Sequence, residues 1–433
     1  MAFKFNRFFS LPLFFLVIIF STVFQLQGVS RNPSRWYNGV QYLKNLFKKP
    51  TFRHKPSPKI PLNKIQHFEV QGVKKEVTHS IRVLLNEKKN NSYWTLVCPK
   101  GFVLTNLKTN RKKRYSETVL TIGFKNGNLM MNGMKLSEKE LKIDAIGGHL
   151  TYDTREYQGS LLLIVDKEVC YVINQINLED YIYSVLRSES WPGWPLEVNK
   201  AFAIASRSYA LVKYLEGAKS KKPYHIKNTN VHQTYNGFHT NPVLIQAVKE
   251  TSGVILTYDK KPILAMFDCC CGDVIPAHLN TIDFKKAPYL ARKVPCTFCK
   301  SSKIYQWKLE FDIDEFQKLL HASGFMVKQI RDMYVTKKDK AGAVEEIVVK
   351  DRDKHYIITG KQFYSMVSKV KSFCYSVAKK GKKIHISGKG YGHHLGICQW
   401  GARNMINHGW NYQSILTFYY PGTTFMKLSS RAK

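Results

Sequence analysis

The chain has 433 residues, 44% of them hydrophobic and 13% aromatic, enough apolar material for one large globular domain or two modest ones. This composition excludes a fibre, a repeat array and wholesale disorder. Lys and Arg number 67 against 31 Asp and Glu, a formal net charge of +36, so the molecular field attracts anionic polymers or anionic lipid surfaces. The basic residues are scattered, with short runs at 111–114 and Lys379–Lys380, and no recognition motif accompanies them. No specific nucleic acid is therefore expected as a partner.

At the N-terminus, Lys4 and Arg7 precede an apolar run from Phe8 to Phe24, interrupted by Ser10, Pro12, Ser21 and Thr22, with Arg31 beyond it. Positive residues ahead of such a run predict a signal peptide or signal anchor over residues 1–27. The run is close to the roughly 20 apolar residues that span a bilayer, and Gly28 and Ser30 make a weak cleavage site, which favours an uncleaved anchor. The expected location is periplasmic, or on the extracytoplasmic face of the cytoplasmic membrane, with the membrane a partner through this segment. Residues 28–75 carry Pro50, Pro56, Pro58 and Pro61 among many basic residues, the composition of an extended linker.

From Ser80 onward, short alternating segments recur: Ile81–Leu84, Tyr93–Val97, Thr118–Ile122, Leu161–Val165 and Val169–Ile173. Asn126-Gly127 and Asn132-Gly133 supply hairpin turns between some of them, so 76–170 reads as a β-rich first part of the body. A helix follows. Pro195 suits its first turn, Glu197 lies near the positive end of its dipole, and Gly217 is a natural stop. Ala201, Ala205 and Ser208 form a small-residue stripe, with Phe202, Ile204, Tyr209, Val212 and Leu215 as apolar bulk. Loops and short strands alternate to about residue 375, and two final helices are expected at Gln399–Asn407 and Tyr412–Tyr419. The predicted class is α+β, a mostly antiparallel β framework with inserted helices, with residues 171–428 as the functional region.

Two clusters carry chemistry. Glu189 sits between the strands and the long helix, on what reads as a short connection, flanked by Trp191 and Trp194. Indole rings desolvate a carboxyl group, which disfavours its charged form and raises its pKa. An acid that keeps its proton near neutrality can protonate a leaving group, and the tryptophans offer flat faces for sugar rings. Taken alone, the same residues fit a capping glutamate beside two core aromatics. Far downstream, Gly388, Gly390, Gly392, Gly396 and Gly401 frame His393, His394, Gln399 and Trp400. These glycines permit unusual backbone angles and close ligand approach, but the segment lacks the pattern of a nucleotide-phosphate cradle.

Together, in this order and separation, the clusters resemble the stage II sporulation protein D family, which includes the amidase enhancers. The matching residues are Asn174, Leu178-Glu-Asp-Tyr181, Ser188-Glu189, Trp194-Pro195, Ala205-Ser-Arg-Ser-Tyr-Ala210, Gln233-Thr-Tyr-Asn-Gly237, Gly390 to Ala402 and Tyr419-Tyr-Pro-Gly-Thr423. They span the chain from about Ile81 to Phe425. The resemblance implies a stage II sporulation protein D-like fold and a peptidoglycan lytic transglycosylase, acting on glycan strands between N-acetylmuramic acid and N-acetylglucosamine, at the septum or in sporulation-like events. It places the catalytic acid at Glu189, working alone and needing no cofactor. It implies substrate contacts from Trp191, Trp194, Arg207, Tyr209, Gln233, Tyr235, His393, His394, Gln399 and Trp400, with Arg207 alternatively an ion-pair partner of Glu179 and Asp180. A second reading is a non-catalytic glycan-binding enhancer of a cell-wall N-acetylmuramoyl-L-alanine amidase.

The sequence departs from the family's pattern at several positions. His394 replaces a glycine, Cys398 a serine, and Cys269-Cys-Cys-Gly-Asp273 a Ser-Thr-Ser-Gly-Gly segment. Thr229-Asn-Val-His-Gln233 stands where some members have a Thr-x-x-Cys-Gln that contributes to a zinc site, and Lys227 where a cysteine is frequent. Nine cysteines cannot all pair internally. Cys269, Cys271, Cys296, Cys299 and His232 are the candidates for a structural zinc; disulfides and free thiols remain open alternatives.

Overall fold

The computed structural model describes residues 66–68, 80–191, 193–352 and 354–428, all within one compact unit, Pro56–Lys433. The expected anchor at 1–27 and most of the linker lie outside the described residues. Among the described residues no helix is long and apolar enough to cross a membrane. Part of the expected linker belongs to the body: Gln66–Phe68 is a strand paired in parallel with Thr424–Leu428.

Two sheets open the body, antiparallel throughout except where Ile226–Lys227 pairs in parallel with Ser80–Lys89. A seven-stranded sheet runs in the order Ile226–Lys227, Ser80–Lys89, Val169–Asn177, Ser160–Asp166, Glu140–Ala145, Phe102–Asn106, Lys112–Tyr115. A six-stranded sheet centres on Ser92–Val97 and Val119–Lys125. Alternation places Trp94 and Leu96 inside and Tyr93 and Thr95 outside, the period-2 pattern of a half-buried strand. The Asn126-Gly127 and Asn132-Gly133 turns have positive φ at all four residues, as the twist-matched hairpin turn requires.

The strand Val169–Asn177 runs directly into α1, Leu178–Glu189. Asn177 caps it by accepting from the Glu179 amide, Glu179 and Asp180 occupy its first turn and Arg187 its last, each on the favourable end of the dipole. Leu178 and every residue from Tyr181 to Leu186 are buried. Glu189 is thus the last residue of a helix rather than part of a short connection. The expected long helix is α2, Leu196–Ala218, with Pro195 at its N-cap position instead of inside its first turn. Every residue from Val198 to Leu211 is buried, so α2 is a central strut enclosed on all sides. α3, Pro242–Glu250, packs beside it.

Residues 306–389 form a second antiparallel body, where the sequence had suggested only loops and short strands. Its six-stranded sheet runs Gln306–Asp312, Lys383–Lys389, Tyr375–Lys380, Asp332–Lys338, Val344–Lys350, His355–Thr359. It carries α4, Ile313–Ala322, and α5, Gly360–Met366. Phe311, Phe316, Ile347, Ile358, Phe363 and Ile386 belong to a core of its own. The first and last strands pair with each other, Gln306 opposite Lys389, and the Gly390 amide donates to the Tyr305 carbonyl at 2.8 Å. Beyond it come α6, Gln399–Ile406, and α7, Tyr412–Tyr419. The whole is α+β, with antiparallel sheets predominating.

Candidate active site

Three segments converge on the end of α1. The loop after Gln233 lies along the helix: Gln233 Oε1 accepts from Tyr181 Oη at 3.0 Å, and Asn236 Nδ2 donates to Ser188 Oγ at 2.7 Å. Held this way, the loop directs the Thr234 amide at Glu189, whose Oε1 accepts from it at 3.2 Å. From the C-terminal side, Gln399 Nε2 donates to the Glu189 carbonyl at 2.8 Å. The third segment is Phe267–Cys271. Phe267–Asp268 pairs in parallel with Ile397–Cys398, and the Trp400 amide donates to the Cys269 carbonyl at 3.2 Å.

Glu189 is half-buried, and burial raises its carboxyl pKa above the ordinary glutamate value, with the Thr234 amide pulling the other way. Among the described residues no charged group enters that balance. Beside it stand three indoles. The Trp191 and Trp194 rings stack with centroids 6.4 Å apart, and Trp400 meets Trp194 edge-on at 5.6 Å and Trp191 at 6.0 Å. Trp194 is buried, and it stacks in turn on Phe202 of α2. Trp191 is 48% exposed. A cavity of about 460 Å³ opens next to this cluster, with walls that include Arg187, Ser190, Trp191, Trp194 and Asn241. The Glu189 carboxylate is not among those walls, so the cavity flanks the acid rather than containing it.

Several residues expected to contact substrate are internal instead. Arg207 is fully buried; its Nε and Nη2 donate to the two Glu179 carboxylate oxygens at 2.8 and 2.6 Å, and Nη1 donates to the Val254 carbonyl at 2.9 Å. It locks α1 to α2 and faces no groove. Gln233 and Tyr235 are buried too: Gln233 Nε2 donates to the Ser206 carbonyl, and Tyr235 Oη donates to Asn174 Oδ1 at 2.5 Å while its ring stacks on Tyr181. Tyr209 is buried and donates to the Val231 carbonyl at 3.4 Å. Gln399 reaches Glu189 through the backbone and is a positioning residue. Ser188, Thr234 and Asn236 lie within the matching motifs, but no role was read for them; their small polar side chains carry no periodicity that would mark one.

The histidines of the glycine-rich loop are neutral at physiological pH, burial pushing both His393 and His394 down to about 4. His393 Nδ1 accepts from the Leu395 amide at 3.1 Å. His394 has φ +67°, the left-handed region that glycine adopts freely, which explains why glycine suits this position. Its amide donates to Asp268 Oδ2 at 2.7 Å, and its Nδ1 donates to the Cys271 carbonyl at 2.9 Å. Burial raises the Asp268 carboxyl well above its ordinary range.

The expected metal-ligating set is corrected by the packing. One sulfur each from Cys271, Cys296, Cys299 and Cys398 lie within 4.8 Å of one another, all four residues buried. Cys269 is outside this group, and so is His232, whose Nδ1 accepts from the Lys227 amide at 3.0 Å. The parallel pairing of Asp268 with Cys398 brings in the sulfur that replaces the family's serine.

Residues 166–258 match the family profile described as stage II sporulation protein, the stretch that carries α1, Glu189, α2 and the Thr234 loop. An uncharacterized protein of Brachyspira hyodysenteriae is 32% identical over 310 residues, covering 71% of this chain and 82% of that one. The stage II sporulation protein D of Bacillus amyloliquefaciens is 24% identical, over 68% of this chain and 90% of its own length. The chain belongs to the stage II sporulation protein D and amidase enhancer family. The amidase enhancer of Bacillus subtilis is 26% identical, over 55% of this chain but 39% of its own length. Residues 287–396, which contain the second antiparallel body, match a separate profile for a domain of unknown function.

Proposed function

We propose that this member of the family is a lytic transglycosylase of peptidoglycan glycan strands, with Glu189 as its one catalytic acid. The observation that carries the proposal is the state of Glu189: a carboxyl with a pKa raised by burial, oriented through both its side chain and its carbonyl, with no charged partner. A raised pKa favours the protonated form, and a carboxyl in that form can give its proton to a leaving group. Protonation of the glycosidic oxygen by Glu189 lets the bond from C1 of the muramic acid to that oxygen break. The Glu189 carboxylate then takes the proton of the same sugar's C6 hydroxyl as its oxygen bonds to C1. The products are a 1,6-anhydro-muramyl end and a free glucosamine-bearing strand, and Glu189 is again protonated. Water is not consumed, so the second carboxylate of ordinary glycosidases has no task. Exposed Trp191 beside Trp400 offers a face for a sugar ring, and the net charge of +36 suits an acidic wall polymer in an extracytoplasmic setting.

The match to an amidase enhancer supports a second reading, in which the protein binds glycan and stimulates a wall amidase without cutting. Incubation of intact and peptide-free glycan strands with wild type and Glu189→Gln separates the two. Anhydro-muramyl ends detected by mass spectrometry with wild type alone support the enzyme. Their absence with wild type, or equal amounts with Glu189→Gln, refutes it.

A further inference from the structure

The family profile and the catalytic proposal leave the buried cysteine cluster without a role. We propose that Cys271, Cys296, Cys299 and Cys398 bind one zinc ion as a tetrathiolate site, which ties the α6 end of the glycine-rich loop to the rest of the molecule. The proposal stands independently of whether Glu189 cuts glycan.

The distances match. Four sulfurs held about 2.3 Å from one tetrahedral ion stand about 3.8 Å apart. Cys271 Sγ and Cys299 Sγ are 3.7 Å apart, and all four sulfurs lie within 4.8 Å of one another. That span holds one ion and is too tight for a polynuclear iron–sulfur cluster. The ligand order is also that of a structural site: a Cys-x-x-Cys pair, Cys296 and Cys299, on a single turn of 3-10 helix at Thr297–Cys299, joined by one sulfur from each of two distant segments.

The surroundings favour thiolates over thiols. Cys398 Sγ accepts from two backbone amides, Cys271 at 3.2 Å and Gly401 at 3.3 Å. Cys296 Sγ lies 3.1 Å from Tyr419 Oη, which can donate to it. Amide and hydroxyl donors around ligating atoms stabilise their charged form and fix their direction. Arg292 is 2% exposed, its Nε has no hydrogen-bond partner, and no carboxylate pairs with it among the described residues. Its charge lies within electrostatic reach of the Cys296 sulfur. A buried guanidinium is costly unless its charge is balanced; its Nη1 and Nη2 donate to the Val294 and Val274 carbonyls, and a tetrathiolate–zinc unit, with a net charge of −2, would add an anion. Space at the site is reserved for sulfur. A Cβ on Gly401 would stand 2.7 Å from Cys296 Sγ and 3.1 Å from Cys398 Sγ.

Cys398 directly precedes Gln399, the residue that holds the Glu189 carbonyl, and Cys271 follows the Phe267–Asp268 strand paired with it. Zinc at this position would therefore fix both strands of that small ladder to the Cys296–Cys299 turn. Binding would displace the thiol protons to solvent and would make metal affinity part of folding stability.

The test is metal analysis of the full chain purified without added chelator, with X-ray absorption at the zinc edge. The expected result is one zinc per chain with four sulfurs at about 2.3 Å, and loss of that zinc in Cys296→Ser and in Cys398→Ser. Cys270→Ser, whose sulfur borders the cluster outside the set of four, should keep it. Should the ligand variants fail to fold, cobalt exchanged into wild type reads the same geometry, through tetrahedral d–d bands and intense sulfur-to-cobalt charge transfer. Zinc-free protein with these cysteines joined as disulfides would overturn the proposal. So would iron in place of zinc, a mixed nitrogen–sulfur shell, or zinc retained by both ligand variants.

Discussion

Gln399 Nε2 donates to the backbone carbonyl of Glu189 at 2.8 Å, across 210 positions of sequence. The bond joins the first residue of α6 to the last of α1, and it satisfies one of the carbonyls that every helix leaves open at its C-terminus. Gln399→Leu keeps the bulk and removes the donor. Stability should fall by about 1 kcal/mol, read by urea unfolding. Strand cleavage should slow through kcat with little change in KM, because the acid is displaced while the sugar contacts remain. An equal loss in kcat and KM terms with unchanged stability would contradict this.

Glu189→Gln should lower strand cleavage by about 10²–10⁴-fold, the usual contribution of a general acid, while leaving the fold intact by circular dichroism. The glutamine amide can still accept from the Thr234 amide, so the loop stays in place.

The pH dependence follows from the same carboxyl. Cleavage needs Glu189 protonated, and its pKa is raised by burial, so kcat should be high at acid pH and fall as pH rises through that elevated value. Stability should follow the same direction. A carboxyl that binds its proton more tightly when folded favours folding most below its unfolded pKa, and this contribution is lost as pH rises through the folded one. The melting temperature of Glu189→Gln relative to wild type should therefore become more favourable with increasing pH, as measured by calorimetry from acid to alkaline buffers.

Arg207→Ala should cost about 3 kcal/mol, since it leaves a largely enclosed Glu179 without its cation. Glu179 retains partial exposure and the Gly253 amide at 3.1 Å, which keeps the loss at the low end. Pairing it with Glu179→Gln should recover part of the loss in a double-mutant cycle by denaturant unfolding.

Gly401→Ala should destabilise by about 1–3 kcal/mol, as overpacked sites do. The new methyl would stand 2.2 Å from Tyr419 Oη, a side chain itself fully buried and unable to swing aside. Thermal melting is the direct check.

Where alternation or a turn dipeptide is local, the sequence announces the structure: the strands at Tyr93–Val97 and Leu161–Val165, and both Asn-Gly turns, lie where expected. α1 was not expected, since Glu189 was read as lying on a short connection, although Asn177 ahead of Glu179 and Asp180 is a helix-start signal. The Arg207–Glu179 ion pair was one of the two readings the sequence offered for Arg207, whereas the functions of Gln233 and Tyr235 were not legible. Each is a polar residue in a motif, and whether it faces a groove or the core depends on which element packs over it. The four-sulfur cluster was half legible: Cys296 and Cys299 announce themselves by spacing, whereas Cys398 reaches them only through a parallel ladder between segments far apart in the chain.

The second antiparallel body enters at Gln306 and leaves at Lys389, two residues paired side by side. A module with both ends at one doorway can be gained, lost or resized without stretching the chain on either side, because the surrounding backbone sees the same short gap. Its match to a profile separate from that of the Glu189 region is what such a history would leave behind.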